Sequence, residues 1–185
     1  MIAELIKHKQ YLESYYHKSF TNRIKEIISN RRNYNNKLFK ILNNQILNQQ
    51  QFDLETKNSM FAFINWLKRQ HNFVVIYKYP HELNFRMVKT DFSLLAQVAL
   101  SFSTLAEFPQ QSVLELHYLV AVKDGLGVGS EFLHNFVSFS NEINMPIILY
   151  CEENLVNYYK KRGFTENGRN FQGYYLMVHY PLKNS

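Results

Sequence analysis

Neither glycine nor proline occurs in the first 70 residues of this 185-residue chain, and the first glycine is Gly125. Both residue types punctuate regular backbone, glycine by its conformational freedom and proline by its fixed φ and missing N–H. A long opening stretch without either can run as uninterrupted helix. Its apolar residues recur at helical spacing, as Ile2, Leu5, Ile6, Leu12, Tyr16, Phe20, Ile24, Ile27 and Ile28. That spacing predicts one long amphipathic helix or two in line, interrupted by the polar stretch Ser29 to Asn36. A second stripe (Leu38, Phe39, Ile41, Leu42, Ile46, Leu47) ends in Gln49 to Gln51, and a third (Phe61, Ile64, Leu67) follows a cap at Asp53 or Ser59.

The hydrophobic period then changes. Asn72 to Tyr79 has the β-branched and aromatic content of a strand, and Pro80 and His81 suggest a turn into Leu83 to Lys89. Leu94 to Leu105 and Val113 to Val122 read as two further strands, giving an antiparallel meander of four. Helix and strand alternate after that: a glycine turn, a helix from about Ser130 to Asn144, a buried strand Pro146 to Cys151, a helix Asn154 to Arg162 stopped by Gly163, and a final strand Tyr174 to Tyr180. The expected fold class is α+β (mixed α/β), with residues 1–70 as a helical region and residues 71–185 as the core. Gly168 and Gly173 are left as ordinary loop residues.

The charge of +6 is uneven: residues 1–70 hold 12 Lys/Arg against 5 Asp/Glu, and residues 71–185 hold 9 against 10. An anionic partner such as nucleic acid would be drawn to that end. No arginine-rich helix or nucleic-acid motif accompanies the charge, so a solvated helical face is the favoured reading and nucleic acid is not. Met1 to Gln10 lacks the apolar run of a signal peptide, and nothing approaches the ~20 apolar residues of a membrane span. A cytoplasmic protein without membrane partners is expected. One cysteine, Cys151, and seven histidines without metal-ligand spacing indicate neither a disulfide nor a metal site.

Gly125, Gly127 and Gly129 fall inside five residues, between a strand and a helix. Without Cβ atoms a ligand can approach the backbone, and the amides of a helix N-terminus favour an anion, so phosphate binding is the physical suggestion. A dinucleotide-binding unit competes, with Glu152 and Glu153 near the offset of a ribose-binding acid. It fails because the third glycine position is Ser130 and too little chain remains for a doubly wound sheet. A P-loop lacks G-K-[ST] after its glycines.

The segment from Val113 to Leu182 resembles the GNAT superfamily of acetyl-CoA-dependent N-acetyltransferases. Asp124 to Gly129 (D-G-L-G-V-G) is similar to its pyrophosphate turn [QR]-x-x-G-x-[GA], and Glu153 to Phe164 (E-N-L-V-N-Y-Y-K-K-R-G-F) to its second motif. The closing Y-Y-L-M-V-H-Y-P-L, Tyr174 to Leu182, is also typical of the family. The resemblance implies a mixed, mostly antiparallel sheet in which the strands flanking the glycine turn splay apart. It implies acetyl-CoA as co-substrate, with pyrophosphate on Leu126, Gly127, Val128, Gly129 and Ser130, and pantetheine against Leu119, Val120, Ala121, Val122 and Asn154. Tyr159 then matches the general acid for the departing thiolate, and Tyr158 is expected to be a core aromatic. Glu115 matches a glutamate used as base in some members. Strand alternation places His117 and Leu119 on its face, which leaves Glu115, His117 or water as proton acceptor. Cys151, ending an apolar strand, is read as core rather than as a nucleophile.

Two departures stand out. Asp124 occupies the [QR] position, and about 70 helical residues precede the first strand. Residues 1–70 could supply the acceptor-side helices, pack as a subdomain or form a homodimer face. The implied function is acetyl transfer to a primary amine, whether a small molecule, a protein N-terminus or a lysine. The alternative is a non-catalytic CoA-binding or regulatory module whose basic helices hold an anionic partner.

Overall fold

The computed structural model describes residues 26–77, 83–103, 105, 107–109, 111–122 and 126–182. The helical stripe expected before residue 26, the turn at Pro80 and His81, and Asp124 and Gly125 lie outside them. Among the described residues, a helical segment at 26–29 is followed by four helices and seven strands in the order α1 (Arg31–Asn48), α2 (Leu54–Arg69), β1 (Phe73–Tyr77), β2 (Leu83–Lys89), β3 (Leu94–Phe102), β4 (Ser112–Ala121), α3 (Val128–Glu142), β5 (Ile147–Cys151), α4 (Glu153–Lys160), β6 (Thr165–Arg169) and β7 (Tyr175–His179). The strands form one mixed sheet in the order β1-β2-β3-β4-β5-β7-β6. Every neighbouring pair is antiparallel except β4 and β5, which are parallel. This is the mostly antiparallel sheet that the GNAT resemblance implies.

All four helices cover one face. Phe39, Leu42 and Ile46 of α1, Phe63 and Trp66 of α2, Phe132 and Phe136 of α3, and Tyr159 of α4 join one buried cluster with Phe85, Val98, Leu114, Leu149 and Met177 of the sheet. A smaller cluster of Phe108, Val113, Ile148, Leu176 and Val178 occupies part of the other face. The alternation along β5 and β7 produces this division, since successive strand residues point to opposite sides.

Local signals explain most boundaries. Asp53 caps α2, its carboxylate accepting from the Thr56 amide at 2.7 Å, whereas Ser59 lies inside that helix. The polar stretch Ser29 to Asn36 breaks the helix only at Asn30, and α1 runs on from Arg31. Asn35 accounts for the difference. Its side chain donates to Phe73 O at 3.0 Å and accepts from Val75 N at 3.3 Å, so it satisfies the outer edge of β1.

One element, β6, was not expected from the sequence. Its residues T-E-N-G-R are mostly exposed and show no apolar alternation, because neither face of this edge strand is covered. Gly168, expected in a loop, sits in it with φ of +90° where the pairing to β7 shifts register. The helix expected from Ser130 begins two residues earlier, at Val128.

Candidate functional site

The parallel pair at the centre of the sheet is short. Leu114, Glu115 and Leu116 pair with Ile147, Ile148 and Leu149, and no further residues of β4 and β5 are in register. The cause lies on the other side of β4. Against β3, Leu116 pairs with Val98 and Tyr118 with Gln97, so His117 is an extra, bulged residue. A bulge bends its strand and reverses the alternation beyond it. Leu119 therefore leaves the face of Glu115 and joins Leu114 and Leu116 beside the core, with Ala121, correcting the simple alternation. Past the bulge, Leu119, Val120 and Ala121 are paired to β3 alone, and Val122 N donates to Ser93 O at 2.9 Å. Their edge toward β5 is open along the splay that the resemblance implies.

At the far end of β4 the chain enters α3. Gly127 is its N-cap, with φ of +71°, a left-handed conformation that a Cβ atom would strain. Its carbonyl accepts from the Glu131 amide at 2.9 Å. The amides of Val128, Gly129 and Ser130 have no acceptor within the helix and form its positive end. Gly129 answers a different need. A Cβ built there would meet the Tyr158 hydroxyl at 3.7 Å, Leu119 Cδ2 at 3.8 Å and Ala121 Cβ at 4.0 Å, all ordinary contacts. No packing demand of the protein requires glycine at that position. The missing side chain leaves open the space between the β4 edge and the helix start, as a group approaching the backbone requires.

Arg162 was not singled out from the sequence. It lies just beyond α4, and its guanidinium stacks on the Tyr158 ring at 3.6 Å, donates to Tyr158 O at 2.8 Å and donates to Ser130 Oγ at 2.7 Å. A cation thus stands at the first turn of α3. The reach spans 32 residues, so no local motif marks it. Tyr158, expected to be a core aromatic, is half-buried and packs against the core, with its hydroxyl 3.5 Å from Ser130 Oγ.

Tyr159 is the core aromatic of the two. It is 7% exposed and packs edge-to-face with Tyr158 at 5.1 Å and Phe164 at 5.6 Å. Burial, reinforced by Tyr158 and Cys151, holds its phenol well above the usual tyrosine range, so the hydroxyl stays protonated and can only give a proton up. Cys151 is buried, and burial, with Glu166 and Glu152, raises its thiol, the state of an inert cysteine. Asn154 is exposed in the first turn of α4.

Where β4 and β5 part, a cleft of about 270 Å³ is lined by Glu115, Leu116 and His117, by Ile148 to Tyr150, and by Phe102, Ser103 and Leu105. Both proton acceptors singled out in the sequence open into it. A second depression of about 440 Å³ between α4 and β6 is wide open and lined by Lys160 and Glu166, which are ion-paired at 2.8 Å. None of residues 126–130 lines it. Among the described residues no cluster of His, Cys, Asp and Glu could hold a metal, and no helix is long and apolar enough to cross a membrane.

No family model matches the chain, and no curated protein matches it in sequence. Among solved structures it is similar to Tetrahymena GCN5, at 16% identity and a TM-score of 0.42, over 82% of this chain and 91% of that one. It is similar to a histone acetyltransferase HPA2 and related acetyltransferase from Corynebacterium glutamicum, at 13% identity and a TM-score of 0.44, over 80% and 93%. It is also similar to the Bacillus subtilis N-acetyltransferase YlbP, solved in complex with coenzyme A, at 16% identity and a TM-score of 0.39, over 71% and 84%.

Proposed function

We propose that the chain transfers an acetyl group from acetyl-CoA to a primary amine by direct attack. The observation that carries this reading is the convergence of three features: the strand edge opened by the bulge at His117, the left-handed Gly127 start of α3, and the Arg162 guanidinium beside it. The amides of Leu126 to Ser130 hold the pyrophosphate, with Arg162 supplying a charge-assisted bond. The open edge of Leu119 to Val122 pairs with the pantetheine amides, and Asn154 borders that arm. Acetyl-CoA supplies the activated acetyl thioester, and the chain's own groups orient it, exclude water and move protons. Glu115 and His117 face the cleft as proton acceptors, and Tyr159 gives a proton to the departing sulfur. The acceptor is a small amine, a protein N-terminus or a lysine.

Binding is tested by thermal denaturation with added acetyl-CoA. At a hundredfold excess over Kd a ligand of the native state adds about 2.7 kcal/mol. For a chain of this size that is a rise in Tm of about 5 to 10 °C. Arg162→Met is expected to weaken acetyl-CoA about tenfold, the worth of one hydrogen bond to a charged group. Turnover is tested by release of free CoA thiol with a panel of amines. The absence of any thermal protection would overturn the reading, and protection without thiol release would favour a non-catalytic CoA-binding module.

A further inference from the structure

The cleft where β4 and β5 part is walled mainly by apolar groups. Leu116 and Leu149, the last residues paired between the two strands, line it beside the open strand edge. Phe102, Leu105, Ile148 and Tyr150 supply the rest of its apolar lining. Phe102 is 50% exposed and Tyr150 45%, and two half-exposed rings bordering one concavity mark a ligand surface. Phe52, in the turn between α1 and α2, extends that wall, its ring centroid 6.4 Å from that of Phe102.

The cleft holds little charge. Among the described residues that line it, Glu115 is the one carboxylate, and no lysine or arginine is present. Glu115 Oε1 accepts from Ser101 Oγ, and Oε2 lies 3.2 Å from His117 Nε2. Ser103 is 7% exposed, and its Oγ accepts from the Leu105 amide at 3.0 Å. A polyamine or aminoglycoside brings several ammonium groups. One carboxylate would pair with one of them, and the others would give up water against rings. A polypeptide backbone laid there would likewise leave amides unpaired. An amine on an apolar body meets neither cost, since its nitrogen reaches Glu115 and its carbon skeleton covers the rings. Volume sets the size of that body. The cleft's 270 Å³ falls just below the roughly 300 to 1,000 Å³ of drug-sized pockets. At about 30 Å³ for each water, it holds roughly nine non-hydrogen atoms.

We infer that the acceptor is a small primary amine carried on an apolar, ring-sized group, with Phe102 and Tyr150 as the residues that select it. This assignment deepens the acetyl-transfer reading and rests on it. Apolar surroundings also favour the uncharged amine, the form that attacks. The incoming ammonium gives one proton to solvent by way of Glu115. The neutral nitrogen then bonds to the acetyl carbon, the carbon–sulfur bond breaks with its electron pair on sulfur, and sulfur takes a proton from Tyr159. A second proton leaving the nitrogen restores Tyr159 through solvent, so one proton is released for each amine acetylated.

The test is release of CoA thiol by the full chain with phenethylamine, ethylamine, spermidine and a lysine peptide with blocked ends. Burial of a ring in an apolar site should raise kcat/KM for phenethylamine at least about tenfold above that for each of the others. Phe102→Ala and Tyr150→Ala should each lower the ratio of phenethylamine to ethylamine by about fivefold or more. Both rings are half exposed, so little packing is lost, and any unfolded fraction cancels from a ratio read on one preparation. A wild-type ratio near unity, a ratio unmoved in both variants, or a faster reaction with spermidine or the peptide would each overturn the assignment. In those cases protection by acetyl-CoA and thiol release would leave acetyl transfer standing. A chain that acetyl-CoA does not protect, and that releases thiol with no amine, would overturn acetyl transfer and the acceptor with it.

Discussion

Tyr159→Phe should lower kcat for CoA release by about a hundredfold or more, the contribution of a positioned general acid. Acetyl-CoA affinity and Tm should stay near their wild-type values. The separation follows from where the ring lies. Tyr159 is 7% exposed against Tyr158 and Phe164, and a phenyl ring fills the same space, so packing is kept while the hydroxyl is lost. Burial raises the phenol above its ordinary value, and a general acid works at pH values below its pKa. The alkaline fall in rate therefore should not begin at the pH of an ordinary tyrosine. Tyr158→Phe is the control. Its hydroxyl stands beside Ser130 at the helix start, so its loss should act on acetyl-CoA binding and leave kcat largely intact. Thiol-release kinetics and thermal shifts on the two variants check both statements, and a Tyr159→Phe enzyme with full kcat would remove the residue from the mechanism.

Trp66→Ala should be the most destabilising single change, by about 3 to 5 kcal/mol, the usual loss when a buried aromatic is cut back. For a chain of this size that is a fall in Tm of about 6 to 20 °C. Trp66 is 3% exposed and lies among four rings: Phe63 at 6.1 Å, Phe132 at 6.2 Å, Phe136 at 5.1 Å and Phe139 at 5.3 Å. Three of these belong to α3, the helix whose first turn meets the pyrophosphate in the proposed function. Loosening α3 should weaken acetyl-CoA as well as the fold. Calorimetry should record one transition moving as a whole. Two transitions, with the sheet melting at its original temperature, would mean that the helical region folds apart from the core.

How much of this was legible in the sequence depends on the distance over which each feature is decided. Six of the seven strands, the four-strand meander and the stop at Gly163, which has φ of +83°, were visible, because each follows from neighbouring residues. β6 carried no signal because both its faces are solvated. The polar run before Leu38 pointed to a break longer than the one at Asn30, because it gives no sign that Asn35 serves the edge of β1.

The candidate site divides in the same way. Glycine at positions 127 and 129 was informative by itself, although only Gly127, with its left-handed φ of +71°, is required by the backbone, and a Cβ at 129 would meet ordinary contacts. Strand alternation put Glu115 and His117 together but carried Leu119 with them, because a bulge is defined by its partner strand and leaves no mark in its own residues. Arg162 looked like an ordinary helix-end cation until the fold placed it on Ser130. The line of contacts from Arg86 through Gln97 and Asn84 to His117 likewise needs β2, β3 and β4 side by side in one register. The sequence by itself determined the elements other than β6, their order and the glycine turn, because backbone preference and hydrophobic period act over a few residues. Tertiary structure alone decided the short β4–β5 pairing, the cation at the helix start and the contact of His117 with Glu115, because each depends on groups that only strand pairing and helix packing bring within hydrogen-bonding distance.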